Sequence, residues 1–325
     1  MSSKFFVLLF ILAVFTRFFG INWDQGYFSH PDENNMATAL SQLSSQNLNP
    51  HFFAYGQFPL YLGYFSLKLI NIPNTFSNSI YVLRFYSAIF SLFFLYFAYL
   101  LSIKLFSKSS QKVAGCIFVD IERGNTFTGN KNISKSFCNK TLIFLLFLIF
   151  SPGLIQIAHF GTTESLLSFI FIANLYFLIK IYENPKFKYF VITAILSGIG
   201  LGSKITAIFF IWPIILMGVY KKQFLSTSFF ILAFSLIFLI TSPYNIIDIN
   251  DFLSSMRYET DVATGNIDVF YTRQFVNTTS YIFQFTHIFP YVVGLPVFFF
   301  SFFNFFYCAN SRDCVCHIFM GLYIS

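Results

Sequence analysis

His30-Pro31-Asp32-Glu33 places two carboxylates directly behind a proline. Proline fixes the local backbone and can open the helix that follows. A carboxylate aimed from such a turn into a cavity can accept a proton from an attacking hydroxyl, as a general base does. Arg84 and Lys204 are the cationic counterparts. Lys204 lies between two apolar runs with almost no loop, and a charge so close to hydrocarbon needs a partner or a ligand. Arg84, read at a helix N-terminus, opposes the helix dipole and would gain from an anion nearby. Together they would form a cationic pocket suited to phosphate or pyrophosphate. Plainer readings accompany each residue. The acids can be solvated loop charges, Arg84 an ordinary boundary charge, and Lys204 a side chain that snorkels to the interface.

The elements that must position these groups are apolar. Hydrophobic residues make up 56% of the 325 positions, aromatic residues 22% with Phe alone at 51, and charged residues only 10%. A water-soluble domain carries about a quarter charged residues. Several runs here reach the roughly 17–25 residues that cross a bilayer as helix. The ~10-residue alternating segments of a transmembrane barrel are absent. The sequence therefore predicts an all-α, polytopic transmembrane bundle of about eight spans, with a long first extracytoplasmic loop carrying juxtamembrane helices. Spans are expected near 5–20, 83–105, 141–158, 165–179, 189–201, 205–220, 224–240 and from 281 onward. The 60–72 stretch is short, carries Lys68, and reads as interfacial or re-entrant.

Charge fixes the orientation of that bundle. Lys and Arg cluster at 106–140, at 180–188 and at 221–222, while acids gather in the first loop and at 242–280. With the N-terminus cytosolic, every basic cluster falls inside and every acidic loop outside. The net charge of +7 follows from this asymmetry and does not imply nucleic acid. On this reading Asp24, His30 to Glu33, Arg84, His159 to Glu164, and Gly202 to Lys204 meet at one outer face. Cys116, Cys138, Cys308, Cys314 and Cys316 have neither zinc spacing nor a disulfide framework. The chain divides into a transmembrane module at 1–307 and an atypical tail at 308–325 that reads as a truncation, a frameshift or a short natural tail.

Several short motifs in this order resemble one family. They are His30-Pro31-Asp32-Glu33, Phe58-Pro59-Leu60-Tyr61, Leu83-Arg84, and His159-Phe160-Gly161-Thr162-Thr163-Glu164-Ser165. Gly200-Leu201-Gly202-Ser203-Lys204-Ile205-Thr206, Ser242-Pro243-Tyr244, Met256-Arg257-Tyr258-Glu259 and Tyr271-Thr272-Arg273-Gln274-Phe275 complete the set. Over residues 5–300 the chain resembles the GT-C membrane glycosyltransferases, especially the family 39 protein O-mannosyltransferases and their bacterial relatives. The resemblance implies an inverting hexosyl transfer, mannosyltransferase-like, from a polyprenyl- or dolichyl-phosphate sugar to an acceptor hydroxyl on the extracytoplasmic face. It implies Asp32 as the general base with Glu33 second, and Arg84 and Lys204 on the donor phosphate. It further implies substrate contacts from Asp24, His30, His159, Glu164, Arg257, Glu259, Arg273 and Gln274. Glu164 stands where relatives usually carry Asp. No cofactor is implied for certain, and a divalent metal stays open because only some relatives bind one. The acceptor would be a protein, a lipid or a glycan, and the membrane the plasma membrane of a prokaryote or the endoplasmic reticulum of a eukaryote. Two other readings stand beside this one, a polytopic transporter and a non-catalytic truncated membrane subunit.

Overall fold

The computed structural model describes residues 3–121, 130–270, 272–279 and 281–299, and side chains within these except at 3–6, 107–121 and 130–139. The five cysteines, Tyr271, most charges of the 106–140 segment and the 308–325 tail fall outside this description. In hydrocarbon each backbone N–H must find its carbonyl within the same segment, which favours helix over every open alternative. The described residues are accordingly helical, with no strand among them.

In chain order the helices begin with α1 (Ser3–Phe18), α2 (Pro31–Ser41), α3 (Phe58–Leu69) and α4 (Phe76–Ile121). There follow α5 (Asn130–Ile149), α6 (Pro152–His159), α7 (Glu164–Glu183) and α8 (Phe187–Leu201). A 3₁₀ turn at Ile205–Phe210 leads into α9 (Trp212–Tyr220), then α10 (Phe224–Thr241), α11 (Tyr244–Ile247), α12 (Ile249–Thr264) and α13 (Phe289–Val293).

Three of these are long and apolar enough to cross a membrane: α4 over Phe76–Phe106, α7 and α10. A fourth is added if α5 and α6, bent by 48° where Ser151-Pro152 interrupts them, cross as one. Proline cannot continue the hydrogen-bond ladder, which accounts for the bend. Among the described residues, three or four of the expected eight or so spans are thus supported. Val7–Phe18, Phe187–Leu201 and Ile205–Tyr220 are apolar but shorter. At 1.5 Å per residue, a helix under 18 residues covers less than about 27 Å of a ~30 Å core. The expected run from 281 breaks, among the described residues, into a π-turn at Gln284–Ile288 and the five residues of α13.

Three cores hold the bundle. Leu9 and Ala13 of α1 meet Leu95 of α4 and Leu145 and Ile149 of α5. The buried Arg17 closes that corner, donating to Ser91 Oγ and to the carbonyls of Leu148 and Ile149 at the end of α5. Those carbonyls lack helical partners, so a cation there also suits the negative end of the helix dipole. Ile181, Phe190, Ala194, Ile214, Phe230 and Phe234 join α7 through α10. The third core lies under the candidate site. Met36, Ala37 and Leu40 of α2 pack on Leu60, Tyr64 and Leu67 of α3 and on Ile80 and Leu83 of α4. Leu60, Gly63, Tyr64 and Leu67 recur at i, i+3, i+4 and i+7, the stripe of an amphipathic helix. With 12 residues α3 is too short to span, in keeping with the interfacial reading of 60–72.

Candidate active site

The first turn of α2 sends its two acids into different surroundings. His30 caps the helix through Nδ1, which accepts from the Glu33 amide at 3.3 Å. Pro31 occupies the first turn, where its missing N–H costs nothing. Glu33 then points inward and is fully buried. Arg84 is buried to the same degree and lies eight residues into α4, since Phe76 to Leu83 are helical ahead of it. The expected helix-terminal position of Arg84 is therefore corrected. It sits ~12 Å along the helix, and its anionic partners come from the protein.

Those partners use the whole guanidinium. Nε donates to Glu33 Oε1 at 2.7 Å, Nη2 to Glu33 Oε2 at 2.7 Å and to Asp24 Oδ2 at 2.6 Å. Nη1 donates to Asp24 Oδ1 at 3.1 Å and to the Ile21 carbonyl at 3.0 Å. All five N–H groups of an arginine are thus engaged. The Trp23 ring lies 5.3 Å from the guanidinium carbon. Hydrogen bonds from Arg84 hold the Asp24 carboxyl below its ordinary pKa. Two carboxylates against one guanidinium leave an excess negative charge, and the Gly161 amide answers it by donating to Glu33 Oε1 at 2.7 Å. A side chain at Gly161 would put its Cβ 2.8 Å from that oxygen and from Leu83 Cβ, so the close approach requires glycine.

Asp32 faces the other way and is exposed. The charge of its carboxylate acts on the hydroxyl of the half-buried Tyr55. The Lys204 Nζ lies 4.9 Å from the centre of the Tyr55 ring and donates to Glu164 Oε1 at 3.1 Å. Glu164 is the first residue of α7, where a carboxylate suits the helix dipole. Burial, followed by the charges of Asp32, Glu164 and Glu259, raises the pKa of the Tyr55 hydroxyl and keeps it protonated.

Backbone pairing holds this second cluster together. The Gly56 and Phe58 amides donate to the carbonyls of Ser203 and Gly202 at 2.8 and 3.0 Å. A Cβ on Gly56 would fall 2.1 Å from the Gly202 oxygen, which only glycine avoids. The fully buried Gln57 fastens the same loop to the α10–α11 corner. Its amide donates to Ser242 Oγ at 3.0 Å and its Nε2 to Asn245 Oδ1 at 3.2 Å. Its Oε1 accepts from the Tyr244 amide and the Tyr61 hydroxyl. Sequence reasoning missed both Tyr55 and Gln57. Gly56-Gln57 preceding Phe58-Pro59 was the available signal, a polar residue just ahead of an apolar helix.

The remaining expected contacts are scattered. His159 bonds the carbonyls of Ile155 and Phe19 through its two ring nitrogens, both at 2.8 Å, and so ties α6 to the end of α1. Arg257 and Glu259 are exposed on α12, and Glu259 alone is near enough to act on Tyr55. Arg273 pairs with the exposed Asp268 at 3.3 Å, and Gln274 is exposed beside it. A separate group, His51, Asp248 and Asp251, has ligand-type atoms within 4.8 Å of one another. Asn49 Nδ2 donates to Asp248 Oδ2 there at 3.0 Å.

The Lys204 ammonium, paired with Glu164, therefore lies against the ring of a tyrosine whose hydroxyl feels the charge of Asp32. Residues 133–247 match the family model described as dolichyl-phosphate-mannose-protein mannosyltransferase. The mannosyltransferase match runs from within α5 to the end of α11, less than half of the chain. It contains Glu164 and Lys204 but neither Asp32 nor Tyr55. No curated protein matches the chain. The mannosyltransferase match suggests a membrane glycosyltransferase of the GT-C type, and the apolar helices agree with an integral membrane protein.

Proposed function

We propose that this protein moves a sugar from a polyprenyl- or dolichyl-phosphate donor to an acceptor hydroxyl, with Asp32 as general base and Lys204 on the donor phosphate. The observation that carries this reading is the meeting of Asp32 and Lys204 across Tyr55. An exposed carboxylate and a partly exposed ammonium both act on this one side chain, and the proposal gives them the roles of base and phosphate-binding cation. The mannosyltransferase match supports the donor class, since that family's description names a dolichyl-phosphate sugar.

In the reaction, the acceptor O–H gives its proton to the Asp32 carboxylate as its oxygen bonds the anomeric carbon. The bond from that carbon to the phosphate oxygen breaks, and the electron pair leaves with the lipid phosphate. Displacement from the opposite face inverts the anomeric configuration. Lys204 meets the charge that develops on the departing phosphate, and a fixed cation is worth most in a site that excludes water. The Lys204 ammonium has three donors and gives one to Glu164, so others remain for phosphate oxygens. Arg84 and Glu33 are assigned to the scaffold, since they saturate one another and are buried. The site end of the bundle is assigned to the extracytoplasmic face and the N-terminus to the cytosol, because this puts the basic clusters inside.

The test is donor turnover by the purified protein in liposomes, using radiolabelled polyprenyl-phosphate sugars. Transfer or release of sugar that is lost in Asp32→Asn, with unchanged melting, is the expected result. Full turnover in the variant would remove Asp32 from the reaction.

A further inference from the structure

Tyr55 sits beside Lys204, which is itself paired with Glu164 at the first turn of α7. Its backbone is fixed on the side of Lys204, because the Gly56 amide bonds the Ser203 carbonyl and the buried Gln57 follows. An aromatic residue that served packing alone would be enclosed by apolar groups. Tyr55 packs on Phe52 at 5.8 Å between ring centres and against the apolar core of α2, α3 and α4, yet its ring also lies 4.9 Å from the Lys204 ammonium and the charges of Asp32 and Glu164 act on its hydroxyl. Two physical properties of tyrosine are in use at once. The ring face attracts the Lys204 ammonium, a point charge on a flexible stem that would otherwise sample many rotamers. The hydroxyl is near enough to the exposed Asp32 for the carboxylate charge to act on it.

We propose that Tyr55 is a positioning residue for glycosyl transfer, its ring seating Lys204 for the donor phosphate and its hydroxyl orienting Asp32 toward the acceptor. This inference rests on the function proposed above. It predicts that the two halves of the side chain serve different kinetic constants. Losing the hydroxyl loosens the base while Lys204 stays seated, and losing the ring frees Lys204 as well.

Three variants separate these roles in proteoliposomes with a polyprenyl-phosphate sugar as donor. Tyr55→Phe is expected to lower kcat about tenfold, the size of one hydrogen bond to a charged group, with donor KM unchanged. Tyr55→Leu is expected to raise donor KM by about two- to thirtyfold as well, the range spanned by cation–π contacts. Tyr55→Trp keeps a ring face for the ammonium, and donor KM returns toward the wild-type value while kcat stays low. Melting temperature is followed in all three. Wild-type turnover with kcat and KM moving together, in step with the melting temperature, would overturn the inference and make Tyr55 a packing residue. Unaltered kinetics in Tyr55→Phe would overturn it too. A folded wild-type protein that neither turns over nor binds the polyprenyl-phosphate donor sinks the glycosyltransferase reading itself, and this inference with it.

Discussion

Asp32 and Glu33 leave the same helical turn about 100° apart and reach opposite surroundings. Glu33 enters a buried cluster in which Asp24, Arg84 and the Gly161 amide satisfy one another, and each N–H of the guanidinium has an acceptor. Asp32 enters an open cluster where Tyr55, Glu164 and Lys204 are partly exposed and charge remains to be met. Identical chemistry at the level of residue type thus divides into a buried, saturated cluster and an open one. A buried ion cluster survives only when its hydrogen bonds are complete, and completeness leaves nothing for a ligand. Acid, base and phosphate chemistry needs the reverse, groups whose bonding capacity is unfinished and reachable.

The comparison breaks first at Arg84. Arg84→Ala should destabilise the protein by about 3–5 kcal/mol, because it strands two buried carboxylates. Thermal unfolding in detergent would reveal this, and wild-type melting would deny that the cluster is a single buried unit. The converse expectation concerns Asp32. Asp32→Asn should cost about 10²–10⁴ in turnover with little change in melting, whereas Glu33→Gln should lower the melting temperature first. If both variants lost activity at constant stability, the division between the two acids would fall. A smaller effect is expected at Lys204, where Lys204→Ala should raise donor KM about tenfold through loss of a charge-assisted hydrogen bond. Lys204→Arg should recover part of that loss, and an unchanged donor KM in Lys204→Ala would move the phosphate elsewhere.

The smallest effect sharpens the comparison through pH. Arg84 lowers the pKa of Asp24 in the folded protein, so its contribution to stability is complete above the ordinary carboxylate pKa near 4. That contribution is lost as pH falls through the lowered folded value. Melting temperature should therefore hold from pH 7 to about 5 and drop below about 4. Asp24→Asn should start lower and lose less over the same range, and identical acid curves for the two proteins would contradict the assignment.

Much of the fold was readable before any coordinates. Long apolar runs with few charges have one stable solution in a bilayer, and α4, α7 and α10 are found close to where those runs lie. The short helix at 58–69 was legible as non-spanning from its length and Lys68. Span number was less legible. Hydropathy measures how apolar a run is, while the helix length within it is set by breaks such as Ser151-Pro152 and Gly202-Ser203. In the site, Glu164 and Lys204 were each singled out in the sequence, and they meet as an ion pair. The sequence shows that Arg84 would gain from a nearby anion, but not that Glu33 and Asp24, some 50 to 60 residues away in the chain, supply it. Tyr55 and Gln57 were passed over, since their roles depend on contacts with residues 203–204 and 242–245.

By itself the sequence determined an apolar helical bundle, the short helix α3, and the paired acids behind a proline. These follow from local properties: hydrophobicity, helix length and the fixed φ of Pro31. Only the tertiary structure decided which acid is buried and which arginine is spent. It also decided that the Tyr55 ring lies against Lys204. Burial and saturation depend on partners distant in the chain, and the rotation of α2 against α3 and α4 selects which partners each side chain meets.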